Sequence, residues 1–141
     1  MIGLDTNILV RYFAQDDSIQ ARTATEIMER RLTEANPGFI SIVTMVETVW
    51  VLGRTYRLSD GEIAETIERT LGADVFIVEN EQEVFVALTA LKEGQASFAD
   101  ALIAALGAKA GCARTLTFDR AAARFPGFEL VARAIALSPR P

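Results

Sequence analysis

Four acidic residues stand where their neighbours make acids informative. Asp5 directly follows the apolar run 2–4, and Asp119 directly follows the run 115–118. Glu47 is the sole charge in IVTMVETVWVL, residues 42–52, and Asp100 is the sole charge in FADALIAALGA, residues 98–108. Each has an ordinary structural reading. Asp is among the best helix N-caps, which suits Asp5 and Asp119. A first-turn carboxylate is favoured by the helix dipole, which suits Asp100. Glu47 is compatible with a salt bridge to an Arg, but its neighbours three and four residues away are Val43, Thr44, Trp50 and Val51. These read as an unsolvated face, on which a lone charge is costly unless paired or metal-bound. Two acids at strand ends and two isolated in apolar helices point to one shared site. Carboxylates at about 3–5 Å repel strongly, so such a site needs a cation. Oxygen ligands favour hard ions such as magnesium or manganese, which activate water for in-line attack at phosphorus.

Further polar residues flank these acids. Thr117 lies two residues before Asp119, on the same side of a strand, where its hydroxyl can bind water or metal or simply fill a cross-strand position. Asn7 can orient Asp5, touch substrate or face solvent. Arg11 and Arg120 are the cations nearest in sequence to the strand-end acids and are candidates for holding a phosphate, with an ordinary surface role as the alternative.

The inventory narrows the chemistry. There is no histidine and one cysteine, Cys112, among 141 residues. Histidine-based nucleases, Ser-His-Asp and Cys-His hydrolases, and Cys/His zinc centres are thereby excluded. With no internal disulfide possible, a reducing cytoplasm is the expected location. No run approaches the 18–20 apolar residues of a membrane span, and the N-terminus lacks a secretory pattern. The net charge of −5 is uneven: residues 1–100 carry 8 Lys/Arg against 17 Asp/Glu, whereas residues 101–141 carry 6 against 2. The acidic total therefore argues only weakly against a nucleic-acid substrate, because bound divalent ions offset clustered acid. The basic C-terminal third is the expected contact for a phosphate backbone, with salt-sensitive binding.

Positioning these residues requires alternating strands and helices. Short strands are expected at 2–4, 39–41, 75–78 and 115–118, with a fifth, edge strand at 128–131. Helices are expected from Asp5 through 14, from Ser18 to about Ala35, from 42 to about Arg54, after Ser59 to Gly72, from Asn80 to about Glu93, from Phe98 to Ala110, and briefly after Asp119. On the second helix, Ala21, Ala24, Ile27, Met28 and Leu32 form one stripe. The pattern predicts an α/β fold with a parallel sheet of four to five short strands between helices. Its functional crevice should lie beyond the carboxyl ends of the strands. One domain, residues 1–134, with a frayed tail at 135–141, suits the length.

LDTNILVRYF, SIVTMVETVWVL, FADALIAALGAKAGC and TLTFDRAAARF occur in an order and spacing that resembles PIN-domain ribonucleases, specifically VapC-type toxins of toxin–antitoxin pairs, over about residues 2–131. The resemblance implies a three-layer α/β/α fold and magnesium- or manganese-dependent endoribonuclease activity. It also implies a homodimer and an antitoxin partner whose inserted segment lies near the active site. The family's acidic positions fall on Asp5, Glu47, Asp100 and Asp119, its strand-end hydroxyl on Thr117 and its opening Asn on Asn7. Many relatives carry a further acid where this chain has Ser97, which bears on whether one metal or two are held. Ile8, Leu9, Tyr12, Phe13, Ile27 and Met28 offer an apolar surface to an antitoxin helix, with core packing as the alternative. Trp50 suits the core better than an interface.

Two other classes compete. A carboxylate-based phosphatase also begins with a strand-end Asp but wants a second Asp where Asn7 stands, and Lys109 is poorly placed for its lysine. A catalytically inactive PIN-like or regulatory module binding RNA or protein is opposed by four intact acids and by the lack of an acid pair at Asp5-Thr6.

Overall fold

The structure is a computed structural model that describes residues 1–16 and 18–131. The tail expected at 135–141, and the domain boundary at 134, lie outside the described residues. The chain forms two compact units, Met1–Gln82 and the residues from Glu83 onward.

In the first unit, strands β1 (Ile2–Gly3), β2 (Gly38–Ile40) and β3 (Phe76–Val78) form a parallel sheet in that order. Ile2 pairs with Gly38, and Gly38 with Phe76. The central strand begins with glycine for a packing reason. A β-carbon on Gly38 would sit 2.6 Å from Leu4 Cδ1 and 2.9 Å from Leu32 Cδ1. Parallel strands require crossovers, and helices supply them. Helices α1 (Thr6–Ala14) and α2 (Ile19–Glu26) lie between β1 and β2, and α3 (Ile42–Arg54) and α4 (Asp60–Gly72) between β2 and β3. Asp5, Ser18, Ser41 and Ser59 cap these four helices through side-chain oxygens. Leu9, Ile40, Leu52 and Ile67 are among the buried side chains of this unit.

The second helix differs from the expected run to Ala35. At Ile27–Arg31 it widens into a π-helical turn and then ends, with the Leu32 N–H bonding back to the Ile27 carbonyl at 3.0 Å. Thr33 and Asn36 explain the stop. Their backbones exchange hydrogen bonds, and the Asn36 N–H also donates to Thr33 Oγ1 at 2.9 Å, a local alternative to helix. Of the expected stripe, Ala21, Ala24, Met28 and Leu32 are buried and Ile27 is half-buried.

In the second unit, α5 (Glu81–Lys92, beginning at the junction) and α6 (Phe98–Lys109) precede β4 (Thr115–Thr117), α7 (Arg120–Ala123) and β5 (Phe128–Leu130). β4 and β5 pair in parallel, Thr115 with Phe128. Gly107 lets α6 approach this pair, since a β-carbon there would meet Thr115 Oγ1 at 2.7 Å. Asn80, expected to cap α5, instead adopts a left-handed conformation (φ 54°), outside the extended backbone an N-cap uses.

Five strands are present, as the sequence pattern requires, but among the described residues they form a three-stranded and a two-stranded sheet rather than one sheet. All pairings are parallel. The alternation of helices with short parallel strands is that of the α/β/α class.

Candidate functional site

Asp5 ends the first strand connection and caps α1. Its backbone is extended (φ −87°, ψ 162°), and its Oδ1 accepts from the Thr6 N–H at 2.7 Å. One residue on, the buried Thr6 hydroxyl donates to Glu47 Oε1. Thr6 thus ties the first turn of α1 to the middle of α3. Asp5, Thr6, Asn7, Arg11, Glu47 and Tyr56 line one cleft of about 530 Å³. Two of the four expected acids therefore share a cleft within the first unit. Among the described residues, Oδ2 of Asp5 and Oε2 of Glu47 have no protein partner.

Glu47 corrects one expectation. Its face of α3 is solvated, not buried. Glu47 is exposed, and so are its neighbours Val43 (71 % accessible) and Trp50 (61 %). Trp50 is consequently a surface residue rather than a core one, with the Arg54 guanidinium 5.8 Å from its ring centroid. The α3 register explains the difference. Met45, Thr48 and Leu52 take the buried face, and Val43, Glu47, Trp50 and Arg54 fall opposite, at spacings of 4, 3 and 4.

Arg11, expected near the strand-end acid, does line the cleft. Its guanidinium already has partners: it pairs with Asp16 and donates from Nε to Gln20 Oε1 at 3.1 Å. Tyr56 donates to the same Asp16 Oδ2 at 3.2 Å, and Ser18 to Oδ1 at 3.0 Å. Partial desolvation works to raise the Asp16 carboxyl, but the Ser18 and Tyr56 hydrogen bonds and the Arg11 charge outweigh it and hold it below its ordinary value. Asp16 therefore stays ionised and keeps Arg11 and Tyr56 together beside the cleft.

In the second unit, Asp100 sits half-buried in the first turn of α6, where Ser97 Oγ accepts from its N–H at 3.1 Å. Ser97 is thus the N-cap of α6. The Asp100 carboxylate has no hydrogen bond or ion pair among the described residues. Asp119 caps α7, its Oδ1 accepting from Ala121 N–H at 2.8 Å and Ala122 N–H at 3.4 Å. Thr117 does stand beside Asp119, and its hydroxyl accepts from the Asp119 N–H at 3.0 Å, which fixes the backbone there. Arg120 is exposed at the start of α7. Neither unit by itself gathers three carboxylates into a metal-holding group among the described residues.

Of the apolar residues offered to a partner, Leu9 and Met28 belong to the core, whereas Ile8, Tyr12, Phe13 and Ile27 are half-buried. Sequence reasoning missed Thr6, Asp16 and Tyr56 as parts of the cleft and its support. A hydroxyl beside a capping Asp was the one available signal, for Thr6. Tyr56 meets Asp16 across 40 residues, which no local spacing reveals.

No curated protein matches the chain. The family model of the PIN domain matches residues 2–127, nearly the whole length, a span within which all four acids lie. With Asp5 and Glu47 brought to one cleft and most of its length matched, the chain belongs to the PIN-domain family.

Proposed function

We propose that this protein is a magnesium- or manganese-dependent endoribonuclease, the toxin of a toxin–antitoxin pair, acting in the cytoplasm as a homodimer. PIN domains are typically metal-dependent nucleases, and that coarser function comes with the family. The observation that carries the finer reading is the pairing of Asp5 and Glu47 on one cleft through Thr6. The donors present fit a hard divalent ion: each of these carboxylates has one oxygen tied to Thr6 and the other without a protein partner among the described residues. Asp100 and Asp119 are proposed as the further acids of the same reaction, and both units as parts of one nuclease domain. The family match, which runs through both units, supports this.

Such an ion supplies Lewis acidity and charge neutralisation for water attack on a phosphodiester. The chain's own residues supply the rest. Thr6 orients both carboxylates so that their second oxygens are available. Arg11 and Asn7 line the same cleft and offer donors to a phosphate's non-bridging oxygens. The Asp16 carboxylate holds the Arg11 guanidinium close by until an RNA phosphate competes for it.

Asp5→Asn tests the assignment. Asn caps helices as well as Asp, so the fold and melting temperature should hold. RNA cleavage should fall on the order of 100-fold or more, beyond the 10–100-fold typical of lost supporting contacts. Manganese binding, followed by the paramagnetic broadening of solvent protons, should weaken in parallel. Undiminished, metal-stimulated cleavage by the purified variant would refute the reading.

A further inference from the structure

The first unit contains a second recess, of about 370 Å³, that shares no residue with the carboxylate cleft. Tyr12, Phe13 and Phe76 supply aromatic walls, and Gln15, Glu29 and Arg69 supply polar groups. Its size is that of a small-ligand pocket. A helix end and a π-helical turn meet there. Gln15, the left-handed C-cap of α1 (φ 48°), turns its side chain back over the recess, its Nε2 donating to the Tyr12 carbonyl at 2.7 Å and to Thr25 Oγ1 at 2.9 Å. Glu29 projects from the π-helical turn Ile27–Arg31. π turns frequently occur at functional sites. Glu29 and Arg69 line the recess with opposite charges, yet among the described residues they form no ion pair with one another. Both act on the Tyr12 phenol: burial and the Glu29 charge push its ionisation up, and Arg69 opposes them.

We infer that this recess binds a guanine base. Guanine presents two adjacent donors, N1–H and the 2-amino group, on one edge, and two acceptors, O6 and N7, on another. A carboxylate accepts from both donors, and a guanidinium donates to both acceptors. Glu29 and Arg69 supply one group of each kind to the lining of this recess, and the aromatic walls supply stacking surface. Adenine would turn its N1 lone pair toward the Glu29 carboxylate and lacks O6 for Arg69. Single-stranded bases splayed from RNA are read in this way. Helix α1 links the two sites, with Asp5 at its start and Tyr12, Phe13 and Gln15 at its end. Its eight residue steps span about 12 Å, a distance a single strand covers within a few nucleotides. RNA as the source of the guanine rests on the function proposed above, whereas the base-binding chemistry does not, and a free guanine nucleotide is the other source.

Calorimetric titration of the full-length protein without added metal decides the chemistry, using guanosine, inosine and adenosine 5′-monophosphates. Saturable binding of the guanosine nucleotide is expected, about tenfold weaker for inosine, which lacks the 2-amino donor, and weaker again for adenosine. Glu29→Gln should cost about tenfold or more toward guanosine and narrow its advantage over inosine, and Arg69→Met should weaken guanosine binding similarly. Equal binding of guanosine and adenosine, no guanosine binding, or a Glu29→Gln variant that binds guanosine unchanged would each overturn the inference. A second arm compares cleavage, with magnesium, of single-stranded RNAs in which single guanosines are replaced by inosine. A position-specific slowing that Glu29→Gln abolishes assigns the site to the substrate strand. Guanosine binding with cleavage indifferent to inosine assigns it to a free nucleotide. Absence of cleavage of any RNA counts against the nuclease reading, and the calorimetry still decides the recess.

Discussion

Thr6 addresses two carboxylates at once, its backbone N–H bonding to Asp5 and its hydroxyl to Glu47, 41 residues away. Thr6→Val keeps the branched shape and the N–H but deletes the hydroxyl. We expect a stability loss of about 1–2 kcal/mol, since a hydrogen bond to a charged acceptor is lost. We also expect a rise in the magnesium concentration needed for half-maximal cleavage, because Glu47 loses its tether. Thr6→Ser should restore both. Thermal melts and metal titrations of the three proteins check this; a valine variant with unaltered metal dependence would show that Thr6 does not prepare the site. At this scale the sequence was informative where residue type conflicts with neighbourhood. Asp5, Asp100 and Asp119 stood out correctly as helix-start acids. Glu47 stood out for the wrong reason. The apolar residues around it indicated burial, but Val43 and Trp50 are themselves on the surface, and a face cannot be assigned from composition when both sides of a helix are apolar. Tyr56 and Asp16 were silent because only tertiary folding brings them together.

Helix starts were the most legible elements because their chemistry is local. Ser18 and Ser59 cap as expected, and Ser59 forms a reciprocal box with Glu62, the two bonds being 3.2 Å and 3.0 Å. Helix ends were less legible. The π-helical turn and the stop at Leu32 depend on a turn between Thr33 and Asn36 that is itself anchored by the N-terminal ammonium on Asn36 Oδ1 at 2.8 Å. The parallel pairing and the α/β/α class are as the sequence pattern required, although strands of two or three residues carry too little pattern to fix their extent. The Ser59 box yields a test. Ser59→Ala should lower stability by about 1 kcal/mol. Glu62→Gln probes the charge. The backbone hydrogen bond at Ser59, and then its side chain, depress the Glu62 carboxyl below 4.5. A depressed folded-state value gives stabilisation that is complete above the unfolded value and is lost as pH falls through the folded one. Wild type should therefore melt above Glu62→Gln near neutrality, and the gap should close as pH drops below about 4. A gap independent of pH would assign the difference to geometry rather than charge.

On the scale of the whole molecule, both units carry large apolar side chains at their surfaces: Val43 and Trp50 in one, Phe85 (58 % accessible) and Phe118 (81 %) in the other. No helix among the described residues is long and apolar enough to cross a membrane. Single exposed apolar residues are ordinary, whereas a contiguous apolar stripe is a candidate contact surface. The α3 stripe is the most readily tested, because Trp50 is the only tryptophan and reports its own burial. If the proposed dimer forms through this stripe, the Trp50 emission maximum should move to shorter wavelength as protein concentration rises, in step with sedimentation. Trp50→Ser should then weaken self-association by at least about tenfold, as truncating an interface tryptophan commonly costs 2 kcal/mol or more. The stripe also carries Glu47, so an antitoxin seated across it would cover the carboxylate cleft, whereas the active dimer must leave that cleft open. Emission unchanged while sedimentation still shows dimers would place the dimer contact elsewhere and leave the α3 stripe free for the antitoxin. In that case the antitoxin, and not the second subunit, should shift the Trp50 emission and silence the cleft together.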